Sequence, residues 1–168
     1  EIIFWKRKME IKCSFEVEEY RSGFHYTCLI DEQTIESNQV LKFTGEHQTG
    51  KTDDDVTVIL FDNCKISRVP RGLIKIFPNL TVLSIHESEI KDVKKEDFED
   101  LKDLKYLYLC EKEIEFLPGD LFDHVKDIEY IFVDYNKIKF IEPNLLDDST
   151  KFKYLSLKRN FNIDKRFD

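Results

Sequence analysis

The sequence predicts an α/β solenoid: a curved parallel sheet of about five strands, preceded by a small β-hairpin cap at the N-terminus. Three observations carry this expectation. Apolar residues recur with a constant period across 56–160, and the recurrence runs in three separate bands per unit. Residues 1–55 lack the period and hold two strand-like runs around a glycine-containing turn.

Stepping by this period from Leu104 in both directions gives Val56, Leu80, Leu104, Ile128 and Phe152. Slightly further along each unit stand Ile59, Leu83, Leu107, Ile131 and Leu155, and then Phe61, Ile85, Leu109, Val133 and Leu157. Alternation of this kind reads as a short strand burying one face. A second band holds Ile66, Ile90, Ile114 and Ile138, followed by Val69, Val93, Leu117 and Ile141. A third holds Ile74, Phe98, Phe122 and Leu146, with Phe77, Leu101 and Val125 closing the coil. These bands read as an irregular or single-turn helical return path. One coil cannot bury its own faces, so stability must come from stacked neighbours and the ends need caps.

The unit can be written LxxLxLxxNxLxxLPxxxF, four times in full and once truncated. It resembles the leucine-rich repeat family, in the class with typical 24-residue repeats. That resemblance implies a stacked parallel sheet whose outward strand residues form a concave surface. It also implies an asparagine column whose side chains satisfy backbone groups in the turn. Here the column reads Cys64, Ser88, Lys112, Asn136 and Asn160, so the turn at Lys112 is expected to be looser than the others.

Within 1–55, "IKCSFEVEEY" and "FHYTCLI" flank Arg21-Ser22-Gly23 and read as a hairpin with Cys13 and Cys28 on its arms, a good disulfide frame. "QVLKFTGEH" reads as a further strand and "QTGKTDDD" as a polar loop leading into the first repeat. Four cysteines allow three connectivities, and Cys13–Cys28 is the favoured pair. A Cys64–Cys110 bond is not expected, because two repeats separate them by about 9–10 Å against a limit of about 7 Å. Four reduced cysteines in a cytosolic chain remain the alternative. The arrangement of a short cysteine-bearing module before a few typical repeats resembles small secreted leucine-rich repeat proteins of insects. Two regions are therefore expected: 1–55 as the β cap and 56–168 as about five repeats.

The formal net charge of −8, with acidic and basic residues interspersed, argues against a nucleic-acid partner. No apolar run approaches the ~20 residues of a membrane-spanning helix. "EIIFW" followed by "KRK" reads as a mature N-terminus rather than a targeting segment. Asn79-Leu80-Thr81 is a glycosylation sequon that fits an extracellular protein, although the repeat favours the same residues. The C-terminal "NFNIDKRFD" lacks a cysteine-rich closing module, and Phe161, Ile163 and Phe167 are expected to cover the last coil. Left uncovered, that end would favour self-association.

The outward strand positions form columns. The first is Val58, Val82, Tyr106, Tyr130 and Tyr154, and the second is Leu60, Ser84, Tyr108, Phe132 and Ser156. Five aromatic rings on neighbouring strands, with Tyr135 at their edge, make the candidate binding surface for a protein ligand. The same rings could instead stack as a ladder that only stabilises the sheet. The third column, Asp62, His86, Cys110, Asp134 and Lys158, has the order of an acid, base and thiol. An open sheet offers no evident oxyanion donors and no pocket, so neither catalysis nor a metal site is expected there. The aspartate runs at 53–55 and 147–148 lack the spacing of a calcium loop. No phosphate-binding glycine loop is present and no cofactor is expected. The expected function is a secreted, non-enzymatic recognition module binding a protein through Tyr106, Tyr108, Tyr130, Phe132, Tyr154 and Tyr135. In light of the resemblance, innate defence or host interaction is the expected setting. The alternative is a structural protein assembling through an uncapped repeat end.

Overall fold

Strand pairing between successive coils organises the molecule. The computed structural model describes residues 9–35, 41–111 and 113–160. The expectations for Lys112 and for Phe161, Ile163 and Phe167 lie outside the described residues. In chain order the strands are β1 Met9–Lys12, β2 Ser14–Tyr20, β3 Gly23–Asp31, β4 Thr34–Ile35, β5 Leu41–Thr44, β6 Val56–Asp62 and β7 Lys65–Ile66. They continue with β8 Val82–Ile85, β9 Tyr106–Leu109, β10 Phe116–Leu117, β11 Tyr130–Phe132, β12 Phe140–Ile141 and β13 Tyr154–Ser156.

A seven-stranded sheet runs in the order β13-β11-β9-β8-β6-β3-β2. All its pairings are parallel except β2 with β3, which form the antiparallel hairpin. The register follows the period of the sequence, for example Ile59↔Leu83, Leu83↔Leu107 and Leu107↔Ile131. All four of these side chains are fully buried. Each inward column therefore stacks the same kind of side chain along the solenoid, and one continuous core runs from Ile11 to Leu145. Truncating any of these to alanine should cost about 2–5 kcal/mol. Among the described residues the return paths are turns and three single 3-10 turns, at Asp53–Asp55, Leu73–Lys75 and Lys95–Asp97. Short two-stranded parallel ladders, β4 with β7 and β10 with β12, line the opposite flank.

The hairpin joins the same sheet as the repeats, with β3 parallel to β6. Cys13 and Cys28 form a disulfide with a Cα separation of 5.3 Å. Gly45 closes the base of the hairpin, where an added Cβ would lie 2.3 Å from the Cys13 carbonyl oxygen and 2.9 Å from the Phe15 ring. Only glycine allows that approach. The register steps from Tyr26↔Val56 to Thr27↔Val58, so Thr57 is an extra residue and marks a bulge in β6. Bulges bend strands and increase their twist, and N-terminal to Tyr26 the hairpin strand β3 has no partner in β6.

Candidate concave binding face

Each coil leaves its strand through one residue in the left-handed conformation: Asn63, Glu87, Glu111, Tyr135 and Arg159, with φ between 43° and 61°. Glu32 does the same after β3. This conformation costs L-residues roughly 1–2 kcal/mol. The cost is offset where the turning residue's N–H donates to the next coil, as Glu32 does to the Asp62 carbonyl, Glu111 to that of Asp134 and Tyr135 to that of Lys158. At Tyr135 the turn also throws the ring outward, leaving it 56% exposed.

The asparagine column lies just inside these turns. The Asn136 amide donates to the carbonyls of Leu109 and Val133 at 2.7 and 3.0 Å, and its oxygen accepts the Ile114 N–H at 3.2 Å. Asn160 repeats the pattern with Val133, Leu157 and Ile138. At the same place in the first repeat the Cys64 thiol donates to the Ile30 carbonyl at 3.4 Å. Burial pushes the Cys64 thiol pKa up, so it stays neutral and structural.

The turns set the height of the strands, and the strands set the aromatic columns. Tyr106 and Tyr130 stack with centroids 4.8 Å apart and planes within 4°. Tyr108 and Phe132 stack at 4.6 Å and 3°. Tyr154 leans on Phe132 at 5.6 Å, tilted 46°. The Lys153 ammonium, paired with Glu129, lies 5.7 Å from the Tyr130 ring centroid. The five rings therefore form two neighbouring groups, Tyr106 with Tyr130 and Tyr108 with Phe132 and Tyr154, and stacking and exposure coexist on them.

The hairpin changes what the columns present. It curls back over the concave surface until the Arg21 guanidinium stands 5.2 Å from the Phe132 centroid. Glu18, Tyr20 and His25 are on the side of the hairpin that faces inward. His25 bonds Ser22 and reaches Thr57 of β6 at 2.9 Å, and its partial burial lowers its pKa. The Tyr20 hydroxyl donates to Glu18, and burial together with that carboxylate raises the phenol pKa strongly. Burial also raises the Tyr108 pKa. Val58, Val82 and Ser84, in the outward columns of the first two repeats, are buried, and Phe132 is only 8% exposed. The concave face thus has a covered part, with Val58, Val82, Ser84 and Phe132 buried, and a more open part formed by Tyr106, Tyr130 and Tyr154 with Tyr135 beside it; Tyr108, half-buried like Tyr106 and Tyr130, lines the cavity between them. Tyr154 is 39% exposed. The outer side of the hairpin leaves Val17 50% and Phe24 77% exposed.

Under the hairpin lies an open cavity of about 540 Å³, lined by Glu18, Glu19, Tyr20, Leu60, Asp62, Ser84, His86 and Tyr108. A bare sheet would have no such pocket; the hairpin supplies its second wall. Two members of the third column, Asp62 and His86, meet there. His86 bonds the Ser84 hydroxyl at 2.7 Å, and the Cys110 thiol donates to the Phe132 carbonyl at 3.7 Å. Among the described residues no three His, Cys, Asp or Glu side chains are grouped to hold a metal ion. Asn79 is exposed, and its amide donates to the Asp54 carbonyl at 2.8 Å. Among the described residues no helix is long and apolar enough to cross a membrane.

A parallel-sheet solenoid of repeated coils, with a hairpin continuing its first edge, is thus the class of protein defined. The sequence profile of the leucine rich repeat family matches residues 103–161. Similar solved structures include the LRIM1/APL1C complex, with a TM-score of 0.68 at 19% identity over 92% of this chain and 27% of that one. The Drosophila Toll–Spatzle complex, a hub in development and innate immunity, gives 0.60 at 22% over 73% and 17%. The TLR13–ssRNA13 complex gives 0.61 at 20% over 86% and 19%. The chain spans between 17% and 27% of the lengths of these three. No curated protein matches. The fold is that of a leucine-rich repeat solenoid, and residues 103–161 carry the match to the family.

Proposed function

We propose that the protein is an extracellular, non-enzymatic recognition module that binds a protein ligand on the open half of its concave face. The observation that carries this reading is the set Tyr106, Tyr130 and Tyr154: one column, on three adjacent strands, partly open to solvent, with Tyr135 turned outward beside it. Aromatic rings of roughly 150–250 Å² each supply binding area at small entropic cost. Tyr108 and Phe132, named with them from the sequence, back the surface from under the hairpin edge. The neighbours that carry protein names in their complexes, Spatzle with Toll and LRIM1 with APL1C, support a protein as the ligand class, and the setting of Toll in innate immunity supports a role in defence. The neighbour that holds single-stranded RNA supports the other class. The formal charge of −8 on this chain favours the protein.

The Cys13–Cys28 disulfide supports an oxidising compartment. In that compartment the Asn79 sequon would be available for glycosylation. The test is affinity capture from extracellular fluid of the source organism, with wild-type protein and a Tyr106/Tyr130/Tyr154→Ala variant as baits. The expected result is a protein held by the wild type and lost by the variant. Equal capture by both baits would move the site off the concave face. Concentration-dependent size in sedimentation, with no capture, would favour the assembly reading.

A further inference from the structure

The cavity beneath the hairpin brings carboxylates and aromatic rings together. Along the repeats, four carboxylates pair with a lysine one coil away: Glu113 with Lys137, Glu115 with Lys139, Asp127 with Lys151 and Glu129 with Lys153. Glu18, Glu19 and Asp62, around the cavity, form no ion pair with a described cation. The nearby guanidinium, that of Arg21, is seated on the Phe132 ring instead. The walls add the rings of Tyr20 and Tyr108 and the polar pair Ser84 and His86.

Carboxylates beside aromatic faces, in a space of ligand-pocket size, suit an organic cation. A planar guanidinium suits them better than an ammonium, because it can stack on a ring while its edge donates to carboxylates. Arg21 on Phe132 is this pairing made by the chain itself, at the far end of the same aromatic floor. A metal ion fits less well, since no described group of three ligating side chains is present.

We propose that this cavity receives an arginine side chain of the protein ligand, held by the carboxylates of Glu18 and Asp62 against the Tyr20 and Tyr108 rings. The open aromatic half would then supply contact area, and the cavity beside it would supply charge selectivity. This rests on the concave face being the ligand-binding face, but it can be tested without the ligand.

The probe is N-acetyl-arginine amide, titrated into the full chain while the NMR resonances of Ser84, His86 and Tyr108 are followed. N-acetyl-citrulline amide, of the same shape and without the charge, is the control. Saturable shifts at these residues with the arginine probe only, weakened about tenfold in Glu18→Gln/Asp62→Asn, support the site. The substitutions are isosteric, and stacking of Tyr106 on Tyr130 reports that the variant is folded. No saturable shift, an equal response to citrulline, or unchanged affinity in the double variant would overturn the proposal. If the arginine probe fails while capture still depends on Tyr106, Tyr130 and Tyr154, the recognition reading stands and only the cationic seat is lost.

Discussion

Asn136 shows how one side chain ties two coils together. Its amide and oxygen bond Leu109 and Ile114 of the preceding coil and Val133 of its own, all in a buried turn. Asn136→Ala leaves buried carbonyls and an N–H without partners and should cost about 2–3 kcal/mol, measured by urea unfolding. Asn160→Ala, at a half-buried position, should cost less. A loss below about 0.5 kcal/mol for Asn136 would mean that the turn needs no side-chain bond. This column was legible through the resemblance to leucine-rich repeats, once the repeat spacing had aligned the units. The left-handed residue one step before it was not, because Glu87, Glu111, Tyr135 and Arg159 are types that carry no turn signal. Only Asn63 hints at it. Where the turning N–H reaches the next coil, that hydrogen bond rather than local preference imposes the conformation.

At the scale of elements, the β2–β3 hairpin is the part whose position the sequence concealed. Its two strands and turn could be read from alternation and from Arg21-Ser22-Gly23. Its seating over the sheet goes with the β6 bulge at Thr57, opposite Tyr26 and Thr27, and with Arg21 meeting Phe132, residues far apart in the chain with no shared period. The pattern within β2 held a partial signal, since Glu16, Glu18 and Tyr20 share the face opposite to Phe15 and Val17. The disulfide anchors the base of this element, closing a loop with a sequence separation of 15. Replacing both cysteines by serine should remove about 3 kcal/mol of stability. Hydrogen exchange should then quicken in β2 and β3 while β9 and β11 keep their protection. Uniform exchange through all strands, or no change at all, would show that the hairpin is not a separately opening unit.

The whole molecule is a quasi-one-dimensional stack with one end folded onto its own concave face. Stability along the stack comes chiefly from the inside columns, of which Ile59, Leu83, Leu107 and Ile131 are one, while ion pairs one coil apart run along the outside. The inside columns were readable as apolar bands. The ion pairs could have been found by the same step, applied to Glu113 and Lys137 or Glu129 and Lys153. Being exposed, most contribute little each to stability. The aromatic columns were fully legible, whereas their division into a covered and an open half was not, because it follows from the hairpin.

The division of the concave face depends on the hairpin lying over it in solution, and a nuclear Overhauser experiment on the free protein tests this most directly. A seated hairpin predicts cross-peaks between the Arg21 side chain and the Phe132 ring, together with those between Tyr106 and Tyr130 within the sheet. Tyr106–Tyr130 cross-peaks without any from Arg21 to Phe132 would contradict it, leaving all five rings open and no cavity beneath the hairpin.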